Sequence, residues 1–118
     1  MRQLQTETHE WMTRALGPGI RDDKRERVLR FLEEALELCQ VCELPVDAIH
    51  AMIDYTYNRP VGEIEDEVGG VLICLAALCN ANFVDMKSAV DTRMRLCNQN
   101  MEAIRLKHMA KPRSVRHI

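Results

Sequence analysis

The chain has 118 residues, of which 47% are hydrophobic and 29% charged, a composition typical of a single globular domain that excludes disordered and collagen-like proteins. Aromatic residues make up only 4% whereas Leu, Met, Ala, Glu and Arg are abundant, which favours helices and argues against an all-β fold. The net charge is −2, but residues 102–118 hold five Lys/Arg against one Glu, so the body carries −6 and is a poor electrostatic match for nucleic acid.

Helix breakers divide the chain into five predicted helices. The first helix ends at Gly17-Pro18-Gly19, and Asp22 or Asp23 offers an N-cap for the second. Pro45 suits the first turn of the third helix, and Asp85 is a cap for the fifth. The predicted helices span about residues 6–16, 23–43, 45–57, 63–81 and 85–109. We therefore expect one all-α domain over residues 1–112 and a basic C-terminal tail over 113–118, with no internal repeat apparent.

Apolar residues form a stripe on the second helix, with Glu33, Glu34 and Glu37 on the opposite side. The stripe contains Val28, Phe31, Leu32, Ala35, Leu36, Leu38 and Cys39. The fourth helix differs, because residues 71–78 are apolar all round and need cover on both sides. The sequence thus predicts a helical bundle of about four to five helices that is completed by homo-oligomerisation, as a homodimer or homotetramer.

Membrane insertion and secretion are not indicated. The longest apolar run, residues 71–79, is about half of the ~18–20 residues that cross a bilayer, and the N-terminus lacks the apolar core of a signal peptide. We therefore expect a cytoplasmic protein that makes no membrane contact, with its five cysteines as free thiols. The Cys39-Gln40-Val41-Cys42 segment lies on a helix and lacks the second ligand pair that a zinc site needs.

Two groups of carboxylates are candidates for chemistry. Glu34 and Glu37 are three residues apart on the second helix, and Glu63 and Glu67 are four apart at the start of the fourth, so each pair shares one helix face. Carboxylate oxygens are the ligands that Mg²⁺ prefers, and four of them can converge if the two helices pack antiparallel. The alternative is that these residues form ordinary solvated helix faces.

A family resemblance rests on several features together. The segment Glu33-Glu34-Ala35-Leu36-Glu37 has the form EExxE, and a later helix carries an ExxD-type segment that leads into the apolar run VLICL. Over roughly residues 22–112 the chain resembles the MazG-like all-α nucleoside triphosphate pyrophosphohydrolases, especially their short phage and bacterial members. The resemblance implies an oligomeric helical bundle and Mg²⁺-dependent cleavage of an NTP or dNTP to the monophosphate and pyrophosphate.

The resemblance also implies roles for particular residues. Glu34 and Glu37 would be metal ligands, with Glu33 beside them as a supporting carboxylate. Glu67 matches the glutamate of the ExxD motif, but Gly70 stands where its aspartate belongs. We therefore expect Glu33, Glu34, Glu37 and Glu67 to be catalytic, and Glu63 to complete the ligand set of Glu34, Glu37 and Glu67. Asp66 of the literal ExxD segment 63–66 is a weaker alternative to Glu63.

Two questions remain open in the sequence. Arg105 and Lys107 are candidates for binding substrate phosphates, but cations near a helix C-terminus are also favoured by the helix dipole alone. The absent aspartate at Gly70 allows a second functional class, a non-catalytic helical oligomer that binds nucleotide or a protein partner. The sequence contains no histidine motif and no phosphate-binding glycine loop that would indicate another enzyme class.

Overall fold

The structure, a computed structural model, describes residues 1–111. In this part of the chain it has six helices and no strand. The helices are α1 (Arg2–Arg21), α2 (Lys24–Val41), α3 (Val46–Tyr57), α4 (Ile64–Ala81), α5 (Met86–Gln99) and α6 (Met101–Met109). The all-α prediction is confirmed, and the number of helices is one more than the upper expectation of five.

The Gly17-Pro18-Gly19 segment interrupts α1 at the predicted position. Gly17 has φ 84° and ψ 162°, a conformation that glycine adopts readily because it has no Cβ. Helical conformation then resumes at Pro18, whose fixed φ suits a first helical turn, and continues to Arg21. The predicted end of the first helix near residue 16 is therefore confirmed by the non-helical Gly17, and a short helical segment that the sequence did not predict follows it.

Aspartate side chains cap the N-termini of two helices, as expected. Asp23 Oδ1 accepts a hydrogen bond from the Glu26 N–H at 3.1 Å, which makes Asp23 the cap of α2. Asp85 Oδ2 accepts one from the Ser88 N–H at 2.8 Å, and this bond lowers the pKa of Asp85. Asp22 instead forms an ion pair with Arg21 at 2.8 Å.

The turns after α2 and α4 have the same backbone structure, 40 residues apart. Glu43 and Phe83 both take positive φ, 63° and 56°. The N–H of the next residue bonds back to the Cys39 carbonyl at 3.0 Å in the first turn and to the Cys79 carbonyl at 2.9 Å in the second. This is the Schellman helix end, here built without its usual glycine. Because α2 and α4 both have 18 residues, the unit of helix, turn and helix occurs twice, a repeat that the sequence did not reveal.

The predicted fifth helix is two helices, which break at Asn100. Its side-chain Nδ2 donates to the Leu96 carbonyl at 2.9 Å, and its backbone has φ −119° and ψ 34°. An asparagine side chain that bonds to the backbone in this way competes with helix propagation. The helix restarts with the Ile104 N–H bonded to the Asn100 carbonyl at 3.0 Å.

The chain forms two compact units, of which the first contains residues 1–36 and the described residues from 93 onward. Within it, α1 packs against α6. Its buried residues are Trp11, Ala15, Glu26 and His108. Two of these four are ionisable, so the core of this unit combines apolar contacts with buried charge pairing. The single domain over residues 1–112 stays a prediction, because two such units can belong to one domain, and the basic tail 113–118 lies outside the described residues.

The second unit, residues 37–92, contains no buried residue. Most of its exposed apolar residues are on α3, on α4 and in the segments that join the helices. On α4 the exposed fractions are 42% at Val71 and 73% at Ile73. Some of the apolar residues of this helix that were expected to be buried are therefore exposed, whereas Leu72, Leu75 and Leu78 are partly covered.

The apolar stripe of α2 is also exposed, although the sequence predicted that it would face a core. Val28, Phe31 and Leu32 are all exposed, whereas the side of the helix that carries Glu26 and Arg30 is turned inward. Tertiary contact with α6 decides this orientation, because His108 of α6 lies against Glu26. The stripe is available to a partner outside the chain.

Within residues 1–111 no single helix is both long enough and apolar enough to cross a membrane. Only α4 and α5 taken together have the required length and apolarity, and the angle between them is 102°. All five cysteines are free, as expected, and Cys42 and Cys74 are exposed.

Candidate functional site

Glu33, the first glutamate of the EExxE segment, is held by two cations. Its Oε1 lies 3.1 Å from Arg30 on the same helix and 2.9 Å from Lys111, which follows α6. Hydrogen bonding to Lys111 is the main cause of a lowered pKa of Glu33. The side chain is about one third exposed, so this carboxylate stays ionised but is committed to a link between α2 and the end of α6.

Glu34 and Glu37 differ from Glu33 because both are exposed. Within residues 1–111 neither has a hydrogen-bonding or ion-pairing partner. They lie one turn apart on α2, so their carboxylates project from the same face of the helix. Two unpaired carboxylates at this spacing repel each other, and a cation bound between them relieves that repulsion.

The second pair lies at the start of α4. Glu63 occupies the N-cap position with φ −104° and ψ 142°, and Glu67 is in the first turn together with Glu65 and Asp66. The Glu67 side chain folds back over the preceding loop, because a Cβ at Gly62 would lie 2.8 Å from Glu67 Oε1. Acidic residues in a first turn are also stabilised by the helix dipole, by about 0.3–1 kcal/mol each. The group therefore has a structural explanation besides a catalytic one.

The four candidate metal ligands lie on α2 and at the start of α4. Within the described residues, no three His, Cys, Asp or Glu side chains are gathered in a way that holds a metal ion. The donor chemistry suits Mg²⁺, which prefers carboxylate oxygens and open positions for water. The ligand set of Glu34, Glu37, Glu63 and Glu67 therefore stays a prediction.

Helix α4 has open space beside its glycine pair, Gly69 and Gly70. A Cβ at Gly69 or Gly70 would meet nothing within 4 Å, so neither glycine is required by close packing within the chain. The absence of a side chain at Gly70 removes the expected aspartate, and it also leaves room for another backbone or a ligand to approach α4.

Arg105, a candidate for phosphate binding, has its guanidinium engaged with α1. Its Nε donates to the Ala15 carbonyl at 2.7 Å, and Nη2 donates to the Arg14 carbonyl at 3.3 Å. These carbonyls lie just before the kink at Gly17, where the helical hydrogen bonds are interrupted. Arg105 also pairs with Glu102 on its own helix. Lys107 is exposed and has no such role.

The buried charge cluster in the first unit was not predicted from the sequence. The Glu26 carboxylate is 3% exposed and lies 3.1 Å from Arg30 Nε and 3.5 Å from His108 Nε2. Burial also lowers the pKa of the neighbouring Arg27, whose guanidinium contacts Met12 Sδ at 3.6 Å. The spacing of Glu26 and Arg30 by four residues was the available signal, but such pairs are common on exposed helices.

Comparison of the chain with protein-family models, with curated proteins and with solved structures finds no match. The resemblance to MazG-like enzymes therefore rests on the EExxE segment and the features that accompany it.

Proposed function

We propose that this protein is a Mg²⁺-dependent nucleoside triphosphate pyrophosphohydrolase that converts an NTP or dNTP to the monophosphate and pyrophosphate. The observation that carries the proposal is the pair Glu34 and Glu37, exposed on one face of α2 and unpaired within residues 1–111 while the adjacent Glu33 is neutralised by Arg30 and Lys111. A helix that keeps two carboxylates free beside a third that is paired presents ligand atoms to a cation.

In this proposal Glu34 and Glu37 act with Glu63 and Glu67 of α4 as metal ligands, and Mn²⁺ can replace Mg²⁺. The bound cation would neutralise the triphosphate and activate a water molecule. Glu33 has a supporting role, because Lys111 and Arg30 already occupy its oxygens. The reaction breaks the bond between the α-phosphorus and the bridging oxygen: water attacks phosphorus, and pyrophosphate leaves with that oxygen.

The proposed enzyme is a homo-oligomer, a homodimer or homotetramer, that acts in the cytoplasm on a free nucleotide. Two observations support oligomerisation: Val71 and Ile73 leave apolar surface of α4 exposed, and within the described residues no three metal-ligating side chains are gathered. The excess of acidic residues in the body supports a small nucleotide rather than nucleic acid as the substrate. Lys107, exposed on α6, is available to a phosphate group, whereas Arg105 is occupied at the kink of α1.

A second candidate is a non-catalytic helical oligomer that binds nucleotide or a protein partner. Gly70 in place of the expected aspartate and the lack of a gathered ligand set within residues 1–111 favour this alternative. The two candidates differ in turnover, because only the enzyme releases pyrophosphate.

The test is the release of pyrophosphate and monophosphate from a panel of NTPs and dNTPs, with Mg²⁺, with Mn²⁺ and with EDTA. We expect release that depends on the metal and is abolished by Glu37→Gln. Glu65→Gln is the matched control, since Glu65 is in the first turn of α4 but outside the proposed ligand set. Retained activity in the Glu37 variant would remove these carboxylates from the mechanism. Metal-dependent stabilisation without product, from folded protein, supports the non-catalytic alternative.

A further inference from the structure

Arg27 on α2 has a buried pair of hydrogen-bond donors that lacks an acceptor. Its Nε and Nη2 are closed off from solvent, and neither has a hydrogen-bonding partner within residues 1–111. The third nitrogen of the guanidinium, Nη1, contacts Met12 Sδ at 3.6 Å, and a thioether is a weak acceptor. A buried donor that stays without an acceptor destabilises the folded chain. The structure therefore contains a donor pair that an acceptor from outside would satisfy.

Two carboxylates attract the charge of Arg27 without accepting its hydrogen bonds. Glu26 and Asp23 both act on this charge, but burial has the larger effect and lowers the pKa of Arg27. The Glu26 carboxylate contacts Arg30 and His108 instead. Asp23 is the exposed N-cap of α2. Neither carboxylate is therefore a hydrogen-bonded counter-ion of Arg27.

The two unpaired donors of Arg27 select one kind of ligand. Nε and Nη2 lie on the same edge of the planar guanidinium and form a fork that matches a carboxylate or phosphate group. Two oxygens of such a group accept both hydrogen bonds together and balance the charge. A neutral acceptor with one oxygen, such as a hydroxyl group, balances no charge. The missing partner is therefore an oxyanion.

Helix α1 has a buried donor without an acceptor as well. Trp11, which precedes Met12 in the sequence, is 9% exposed, and its Nε1 has no acceptor within the described residues. An indole N–H usually finds a partner when its ring is buried. Met12 is only partly buried and has a flexible side chain, so it can move aside from the guanidinium. A small ion can then reach Arg27 where α1 and α2 meet.

We propose that the first unit binds a small oxyanion, a phosphate or carboxylate group, at the Nε–Nη2 edge of Arg27. The bound group accepts two hydrogen bonds from Arg27, and Trp11 Nε1 is a further donor from α1. Because it binds where Arg27 contacts Met12, it strengthens the contact between α1 and α2. The site is independent of the proposed function, since it involves neither a metal ion nor Glu34 and Glu37.

The first experiment measures melting temperatures in sodium phosphate, sodium acetate and sodium chloride of equal ionic strength, with EDTA present. We expect the wild type to melt at a higher temperature in phosphate or acetate than in chloride, and the larger rise identifies the class of ligand. Phosphate also stabilises proteins through exclusion from their surfaces, so the rise is compared with that of Arg27→Met. The rise should be smaller in this variant. Lys24→Gln is the matched control and should keep the full rise, because Lys24 is exposed at the start of the same helix.

The same variant separates this site from a purely structural arginine. In chloride, Arg27→Met should melt at or above the temperature of the wild type, because an apolar side chain replaces a buried charge that has no counter-ion. Equal rises in the wild type and in Arg27→Met overturn the proposal, and so does a wild type that melts at the same temperature in all three salts.

The second experiment measures binding of the same oxyanion by titration calorimetry, and it also decides the case if Arg27→Met does not fold. We expect one oxyanion per chain in the wild type. Arg27→Lys keeps the positive charge but loses the fork, so it should bind at least about tenfold more weakly. Unchanged affinity in Arg27→Lys, or no binding to the folded wild type, contradicts the proposed site.

Discussion

Replacing Glu26 by Gln tests the importance of the buried charge cluster in the first unit. The substitution keeps the shape of the side chain but removes the negative charge that lies 3.1 Å from Arg30 and 3.5 Å from His108. All three side chains are at most 13% exposed, so water cannot replace the lost interaction. Breaking a buried ion pair by removal of one partner costs about 3–5 kcal/mol.

The expected loss is at the lower end of this range or below it. Arg30 keeps a second carboxylate, Glu33, at 3.1 Å, so its charge is not left without compensation. We therefore expect Glu26→Gln to lower the free energy of unfolding by about 2–3 kcal/mol. For a chain of 118 residues this corresponds to a melting temperature lower by about 8–12 °C.

Urea unfolding, followed by circular dichroism at one fixed protein concentration, measures this loss. Glu33→Gln is the matched control: it also faces Arg30 from α2, but its side chain is about one third exposed, so we expect a loss of at most about 1 kcal/mol. If the two variants differ by less than about 0.5 kcal/mol, burial does not determine the strength of these pairs and the reasoning is refuted.

Three further predictions concern the same helices. The pKa of Glu33 is lowered in the folded state, so its ion pairs contribute fully to stability above its ordinary pKa of 4.5. This contribution is lost as the pH falls through the pKa of the folded state. The difference in free energy of unfolding between wild type and Glu33→Gln, measured by urea unfolding, should therefore vanish in acid. Phe83→Gly should stabilise the protein by about 0.5–1 kcal/mol in thermal melts. Phe83 is 97% exposed and has φ 56°, a conformation that costs less for glycine than for phenylalanine. A loss of stability in this variant would show that the phenylalanine ring is packed in the assembly. Arg105→Met should lower the free energy of unfolding by about 1–2 kcal/mol, because it removes the hydrogen bonds to the carbonyls of α1. Lys107→Met should have almost no effect. Equal losses of stability for the two variants in urea unfolding would contradict this prediction.

The sequence predicted the features that depend on neighbouring residues. The order of the helices and the caps at Asp23 and Asp85 follow from short-range chemistry, in which a side chain bonds to an N–H three residues later. Proline and glycine were correctly placed as interruptions, but the long-range contact at the break near Gly17 was not predicted. Arg105, which bonds to the carbonyls before the kink, is 90 residues away from Ala15.

The features that the sequence did not predict depend on distant contacts. The side of α2 that faces inward is selected by His108, 82 positions away along the chain from Glu26, and it is not the side with the most apolar residues. The repeat was missed because few residue types recur 40 positions apart, and the two turn residues with positive φ, Glu43 and Phe83, are unrelated. The candidate ligands were found from spacing, but spacing cannot show whether one copy or two bring them together.

The contacts of the first unit also determine where the chain can accept new sequence. Arg14 with Asn98, Ala15 with Arg105, and Glu33 with Lys111 join positions that are 78 to 90 residues apart. The entropy of closing such a loop increases slowly with its length, by about 0.6 kcal/mol for each doubling. A domain inserted between Pro60 and Val61, in an exposed segment without helical structure, would leave this closure almost unaffected. The segment between α3 and α4 is thus free to lengthen, while α1 and α6 must stay matched to each other.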